Sequence, residues 1–228
     1  MLQKKTNIAK LNEYANNENI TMLTTSDGNL KLVPDKHTAF LIWNLPAVIT
    51  CPYATEHCKA ACYARKAEKG LRSGKVVPAR TRNFLDSRRA DFRERMLYTI
   101  LYRRQHTNKR WLIVRIHESG DFYNKQYTQD WLWIAMQCRG EKIKFIAYTK
   151  SFVFFDGIAL PDNFFLRASI WDDTPEWQLE IIKRNNWPTY TAVDKFRTGD
   201  NFTRCRCKDC ASCGKCWKNY QDIRCEIH

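Results

Sequence analysis

Short apolar runs alternate along the chain with longer amphipathic ones. Ala39–Ile49, Trp111–Ile116, Lys144–Tyr148, Phe164–Ile170 and Tyr190–Val193 are rich in β-branched and aromatic residues and read as five strands. Between them, residues 80–105 carry Leu85, Phe92, Met96 and Ile100 at near-helical spacing, which predicts one long amphipathic helix. Lys125–Cys138 predicts a second, with Trp131, Ile134 and Ala135 turned inward, and Glu176–Lys183 a third, opened by Pro175. Residues 1–37 are polar and Asn-rich, with a turn signal at Ser26–Asn29, and read as a short helix or hairpin edge. Strand–helix alternation of this kind predicts an α/β fold on a parallel sheet, either a partial (βα) barrel or a doubly wound sheet.

Both architectures gather reactive groups at the C-terminal ends of their strands. The second strand runs WLIVRIHESGDF and brings Arg115, His117, Glu118, Ser119 and Asp121 to that end. The third ends Tyr148-Thr149-Lys150-Ser151, the fourth carries Arg167 and Ser169 and ends Trp171-Asp172-Asp173, and the fifth ends Val193-Asp194. Strand alternation places Arg115 and His117 on one face and Val114 and Ile116 on the other. His117, Glu118, Asp121 and Lys150 are the candidates for moving protons, His117 first because an imidazole ordinarily titrates near pH 6.5. Arg115, Ser119 and Tyr148 are candidate substrate contacts. Taken singly, each of these residues also suits a cap or a turn: Asp121 could cap the next helix and Gly120 could supply the bend.

The 228 residues suit one domain with a small appended lobe, and 44% hydrophobic with 27% charged residues excludes a disordered chain. No apolar run approaches the roughly 20 residues of a membrane helix, and the start of the chain has no apolar signal region. The expectation is a cytoplasmic protein without a membrane partner, in a compartment that keeps thiols reduced.

Against that background the ten cysteines change the picture. Cys138 stands alone in an apolar helical run and reads as a buried hydrophobe. Cys51, Cys58 and Cys62, in CPYATEHCKAACYA, form a C-x6-C-x3-C group. Three thiolates suit a cubane iron–sulfur cluster with one iron left open to a substrate or cofactor, and His57 is placed to be a fourth ligand. Cys207, Cys210, Cys213 and Cys216 recur at every third residue in CRCKDCASCGKCW, flanked by Cys205 and Cys225. That spacing occurs in ferredoxin-type sites, so two [4Fe-4S] clusters are expected, with zinc as the rival metal.

Charge adds a partner. Lys and Arg number 38 against 24 Asp and Glu, a net +14, and residues 65–110 hold 15 of the cations against 4 acids. Arg82, Arg88 and Arg89 belong to this stretch, interleaved with Phe84, Phe92, Tyr98 and Tyr102, which suits phosphate contact and base stacking. Nucleic acid is the expected partner. The alternative is a solvated helix face.

The strings CPYATEHCKAACYARKAE, RIHESGDFYNKQY, FIAYTKS and CASCGKCW, in that order from about residue 40 to 217, resemble the phage gene product 88 family. The resemblance implies an origin in a phage or other mobile element and action in the cytoplasm of a bacterial host. The loop ending in CYA is also similar, more distantly, to phage proteins related to the radical S-adenosylmethionine barrel. That likeness is what brings S-adenosylmethionine into consideration, although the usual C-x3-C-x2-C spacing of such enzymes is not the one here.

The combined expectation is an α/β unit over 1–194, bearing the loop at 51–62, and a Cys-rich metal-binding lobe over 195–228. The function expected is that of an iron–sulfur enzyme acting on nucleic acid or a nucleotide through its open iron, by radical, other redox or hydrolytic chemistry. The alternative is a nucleic-acid-binding protein in which metal only staples the fold.

Overall fold

The computed structural model describes residues 21–25, 31–195, 202–205, 209–218 and 221–227. Strands β1 (Thr38–Trp43), β2 (Trp111–Ile116), β3 (Ile143–Thr149), β4 (Phe164–Ile170), β5 (Thr189–Val193), β6 (Thr203–Arg204) and β7 (Ile223–Glu226) make one sheet in the order β1-β2-β3-β4-β5-β7-β6. All six pairings are parallel. From β1 to β5 every crossover steps one strand in the same direction. Right-handed crossovers then put all their helices on one side, and the sheet curls into a half-barrel. A doubly wound sheet would reverse its strand order partway.

The helices are α1 (Glu56–Ala60), α2 (Tyr63–Lys69), α3 (Ser73–Asp86), α4 (Phe92–Gln105), α5 (Lys125–Gln137), α6 (Glu176–Arg184), α7 (Cys210–Cys213) and α8 (Lys215–Lys218), with a 3-10 turn at Phe152–Phe154. Period-two alternation divides the strand side chains between two cores. On the outer face Leu41, Trp43, Val114, Ile116, Phe145 and Leu166 pack with Phe92, Met96, Ile100, Trp131 and Ile134 of α4 and α5. On the concave face Phe40, Ile42, Ile113 and Ile146 pack with Ala211 and Trp217 of the C-terminal segment. Trp217 meets Phe40 edge-on at 6.0 Å.

The sequence reading needs three changes. The strand expected over Ala39–Ile49 stops at Trp43, because Asn44 turns its side chain onto the next loop and the chain bends through Val48, whose φ is 68°. The single helix expected over 80–105 is two: Ser87 Oγ bonds back to Phe84 O, and an Arg95–Asp86 ion pair closes the turn. Phe92, Met96 and Ile100 are buried as expected, while Leu85, 58% exposed, lies outside their stripe. The segment after 195, expected as an appended Cys-rich lobe, is attached through the sheet itself, to which it adds β6 and β7, and it lays α7 and α8 in the hollow. The turn expected at Ser26–Asn29 and Cys207 lie outside the described residues.

Candidate metal centre

The loop after β1 is docked on the loop after β2. Leu45 N–H donates to Ser119 O (2.9 Å) and Asp121 N–H to Thr50 O (3.2 Å). Asn44 Oδ1 accepts from Glu118 N (2.8 Å) and Ser119 N (3.1 Å). Gly120 makes this contact: its φ is 84°, and a Cβ there would stand 2.6 Å from both Leu45 Cβ and Thr50 Oγ1. The three cysteines follow from this anchor. Cys51 closes the loop, its N–H bonding Val48 O. Cys58 rides on α1, whose cap is the Thr55 hydroxyl. Cys62 is the residue from which α2 starts.

Lys150, at the end of β3, faces this group from across the rim. It is 9% exposed, its charge acts on the Cys58 thiol, and it donates to Ser169 Oγ (2.9 Å) and stands 5.8 Å from the Trp171 ring centre. Asp121 sets it there. The buried carboxylate accepts from Lys150 N (2.8 Å), Thr149 Oγ1 (2.6 Å) and Phe122 N (2.8 Å). Burial pushes Asp121 upward despite those bonds. Asp121 is thus a brace between two strand ends, and the cap of α5 is Asn124 instead. Burial, with help from Asp121, lifts the Cys51 thiol to about 12, and burial lifts Cys58 as well. Such thiols are poor free nucleophiles and become thiolates when a metal displaces the proton.

A second sulfur group lies in the hollow of the sheet. Tyr148 and Tyr190 meet there edge to face at 4.7 Å. Tyr148 interacts electrostatically with Cys216, and Tyr190 with Cys205 and Cys225. Burial raises both phenols, so each keeps a proton to donate to sulfur. Cys210 lies within electrostatic reach of Cys205, Cys213 and Cys216, and its thiol is pushed up to about 12, first by burial. Sequence spacing leaves open whether Cys205 and Cys225 are ligands and places Arg167 only among the strand-end polar groups, and Tyr190 is not among the expected site residues. The parallel pairing of β7 with β5 sets Ala192 opposite Cys225, and the spacing of the cysteines gives no hint of that register.

Cations accompany this sulfur. Arg167, 1% exposed, donates Nε to Cys216 O, Nη2 to Lys215 O and Nη1 to Gln221 O. Arg115 lies over the Tyr148 ring at 3.8 Å, and its Nη1 is buried with no hydrogen-bond partner among the described residues. Charge from Arg115 and Arg167 lowers the Cys216 thiol against the dominant effect of burial.

Other expected residues fall elsewhere. His117 does not share the face of Arg115. Its φ of 60° breaks the alternation and swings the ring into the outer core, where Nε2 bonds Tyr127 Oη (2.8 Å) and Phe122 packs edge-on at 4.8 Å. It is 3% exposed, and burial, then Arg115, holds it down at about 3, so it is a neutral core group and not a rim acid or base. Ser119, 2% exposed, donates to Leu45 O and is structural. Glu118 is half-buried beside Asn44, and its carbonyl accepts from Tyr63. His57 does not turn to the sulfurs: Nδ1 pairs with Asp172 (2.8 Å) and its N–H with Asp173 (2.9 Å), pinning α1 to the end of β4. Cys138 is fully buried, as expected of a core filler.

Arg82 is exposed on α3, Arg88 covers Phe84, and Arg89 pairs with Asp91. Phe92 is core and unavailable for stacking. The outward-facing cations cluster instead on the α2–α3 hairpin, at Arg65, Lys66, Lys69, Arg72, Lys75 and Arg82. Its two acids are held internally, Glu68 by Arg80 and Asp86 by Arg95. This hairpin begins at Cys62, so it projects from the first sulfur group.

Among the described residues, the one group of three or more His, Cys, Asp or Glu ligand atoms all within 4.8 Å of one another is His57–Asp172–Asp173. No three described cysteine sulfurs are that close. Four thiolates around one zinc, at Zn–S of about 2.3 Å, require sulfurs about 3.8 Å apart. No helix among the described residues is long and apolar enough to cross a membrane. A family model described as gene product 88 matches residues 3–219. No curated protein and no solved structure matches the chain.

Proposed function

The chain belongs to the gene product 88 family, and we propose that it is an iron–sulfur enzyme of phage type acting on nucleic acid at the C-terminal rim of its half-barrel. The observation that carries this reading is charge. Lys150, Arg115 and Arg167 are buried or half-buried beside cysteine sulfur, and Arg115 keeps a buried N–H without a partner. Buried cations require anions, and metal-bound thiolates would supply them. No three described cysteine sulfurs lie within 4.8 Å of one another, as a lone tetrahedral ion would need them to, whereas an inorganic iron–sulfide core spans a wider gap.

Cys51, Cys58 and Cys62 would hold one [4Fe-4S] cluster. Cys205, Cys216 and Cys225 lie beside Tyr148 and Tyr190, Cys210 lies within electrostatic reach of Cys205 and Cys216, and these four are favoured for a second, with Cys207 and Cys213 the other members of the sequence group. A cluster with three protein ligands supplies an iron open to an outside ligand. The chain's own part is to orient and to exclude water. Lys150 presents a cation to an anionic group at the rim, Asp121 fixes its position, and the α2–α3 hairpin leads a phosphate backbone to the same place. The family's phage character supports cytoplasmic action in a bacterial host as part of this reading.

Oxygen-free purification tests the metal. Brown protein with iron and acid-labile sulfide is expected, with C58S losing about half of both if there are two clusters. Colourless protein holding zinc would overturn the cluster and leave metal as a staple. A changed electron paramagnetic resonance spectrum on adding S-adenosylmethionine would identify that cofactor as the ligand of the open iron, and an unchanged one would remove it.

A further inference from the structure

At the opposite end of the sheet, where β1, β2 and β3 begin, a cavity of about 370 Å³ opens between the hollow face and the C-terminal helices. Its walls include Arg110, Lys144 and Lys218, the indoles of Trp111 and Trp217, and Asp35. We propose that this cavity binds a phosphorylated small molecule of up to mononucleotide size, at a site separate from the Cys51–Cys58–Cys62 group and walled in part by Ala211 and Ser212 of the C-terminal segment.

The cations have little else to do. The Lys144 ammonium lies 4.9 Å from the Trp111 ring centre and 5.2 Å from that of Phe165, and its polar contact is with Trp217 O at 3.3 Å. Arg110 stands 6.0 Å from the same Trp111 ring. The Lys218 stem lies against Gly214, whose absent Cβ would collide with it. The acids at hand are committed to backbone. Asp35 accepts from the N–H groups of His37 (2.7 Å) and Thr38 (2.5 Å), and Asp209 from those of Ala211 (2.9 Å) and Ser212 (3.4 Å). Burial, and then repulsion from Lys218, depress the Lys144 ammonium. Like charges gathered in a concavity raise the local affinity for an anion. Phosphate suits lysines as point charges and arginine as a fork. The volume lies at the small end of the usual small-molecule range of about 300–1,000 Å³.

The test is calorimetric titration of the full, metal-replete protein with adenosine monophosphate, inorganic phosphate and adenosine. Saturable binding of the monophosphate, competition by phosphate and none by adenosine are expected. K144M, which keeps the packing on Trp111, and R110Q should each weaken binding roughly tenfold, the loss of one charge-assisted contact. C58S should bind as the parent does, so failure here is distinct from failure of the metal reading. Absence of saturable binding by both phosphate compounds would overturn the proposal, as would affinities unchanged in K144M and R110Q with both variants folded by circular dichroism.

Discussion

His117 and Gly120 stand three residues apart and each has a backbone conformation that decides its role. At His117 a left-handed φ carries an imidazole into a core it would not reach in regular strand geometry. The unfolded chain protonates such a ring near pH 6.5, whereas the folded one resists until about 3. Between those values the unfolded state binds the extra proton, so the stability His117 allows is complete above pH 6.5 and is lost as pH falls toward 3. The expected loss at pH 5 is about 2 kcal/mol. Urea unfolding at pH 7 and pH 5 measures it, and in H117Q the difference should shrink by about that amount. An equal decline in both proteins would place the acid sensitivity elsewhere. At Gly120 the contact is with Leu45 and Thr50, which lead directly to Cys51. G120A should cost about 3 kcal/mol in stability and lower the iron retained per chain, because backbone must move to admit the methyl group.

Elements give the sulfur groups their setting. Cys210, Cys213 and Cys216 sit on two helices of four residues each, which have no stability of their own. What holds them is Trp217 in the hollow core and the three carbonyl contacts of Arg167. R167M should therefore release this segment before it unfolds the sheet. Hydrogen exchange across residues 209–218 should rise while that of β1–β3 stays unchanged. In the proposed reading, the α2–α3 hairpin is the corresponding element for nucleic acid. Reversing Arg65, Lys69, Arg72 and Lys75 to Glu should abolish DNA or RNA binding in fluorescence anisotropy and flatten its salt dependence, with the iron content intact. If binding survives with its slope unchanged, the polyanion docks on another face.

At the scale of the whole molecule, the family model spans residues 3–219 and the half-barrel puts one sulfur group at its rim and the other in its hollow. The places of β1 to β5, though not of β6 and β7, the outer core of α4 and α5, and the gathering of polar groups at strand ends were legible in the chain, since each is a local pattern of period 2 or 3.6. So was the grouping of cysteines. Three kinds of fact were decided by tertiary structure. The register of β7 brought Cys225 beside Tyr190 from a distant stretch of sequence. Positive φ at His117 sent a candidate acid–base residue to the wrong side of the sheet, an effect of backbone strain that composition does not encode. Ion pairs engage Arg80 and Arg95 and bury much of both, while six exposed cations gather on the α2–α3 hairpin, a grouping that the even spread of basic residues along the basic stretch does not show. Sequence determines which groups are available. Which of them face one another depends on strand order, register and burial, because those alone set the distances on which electrostatics and ligation depend.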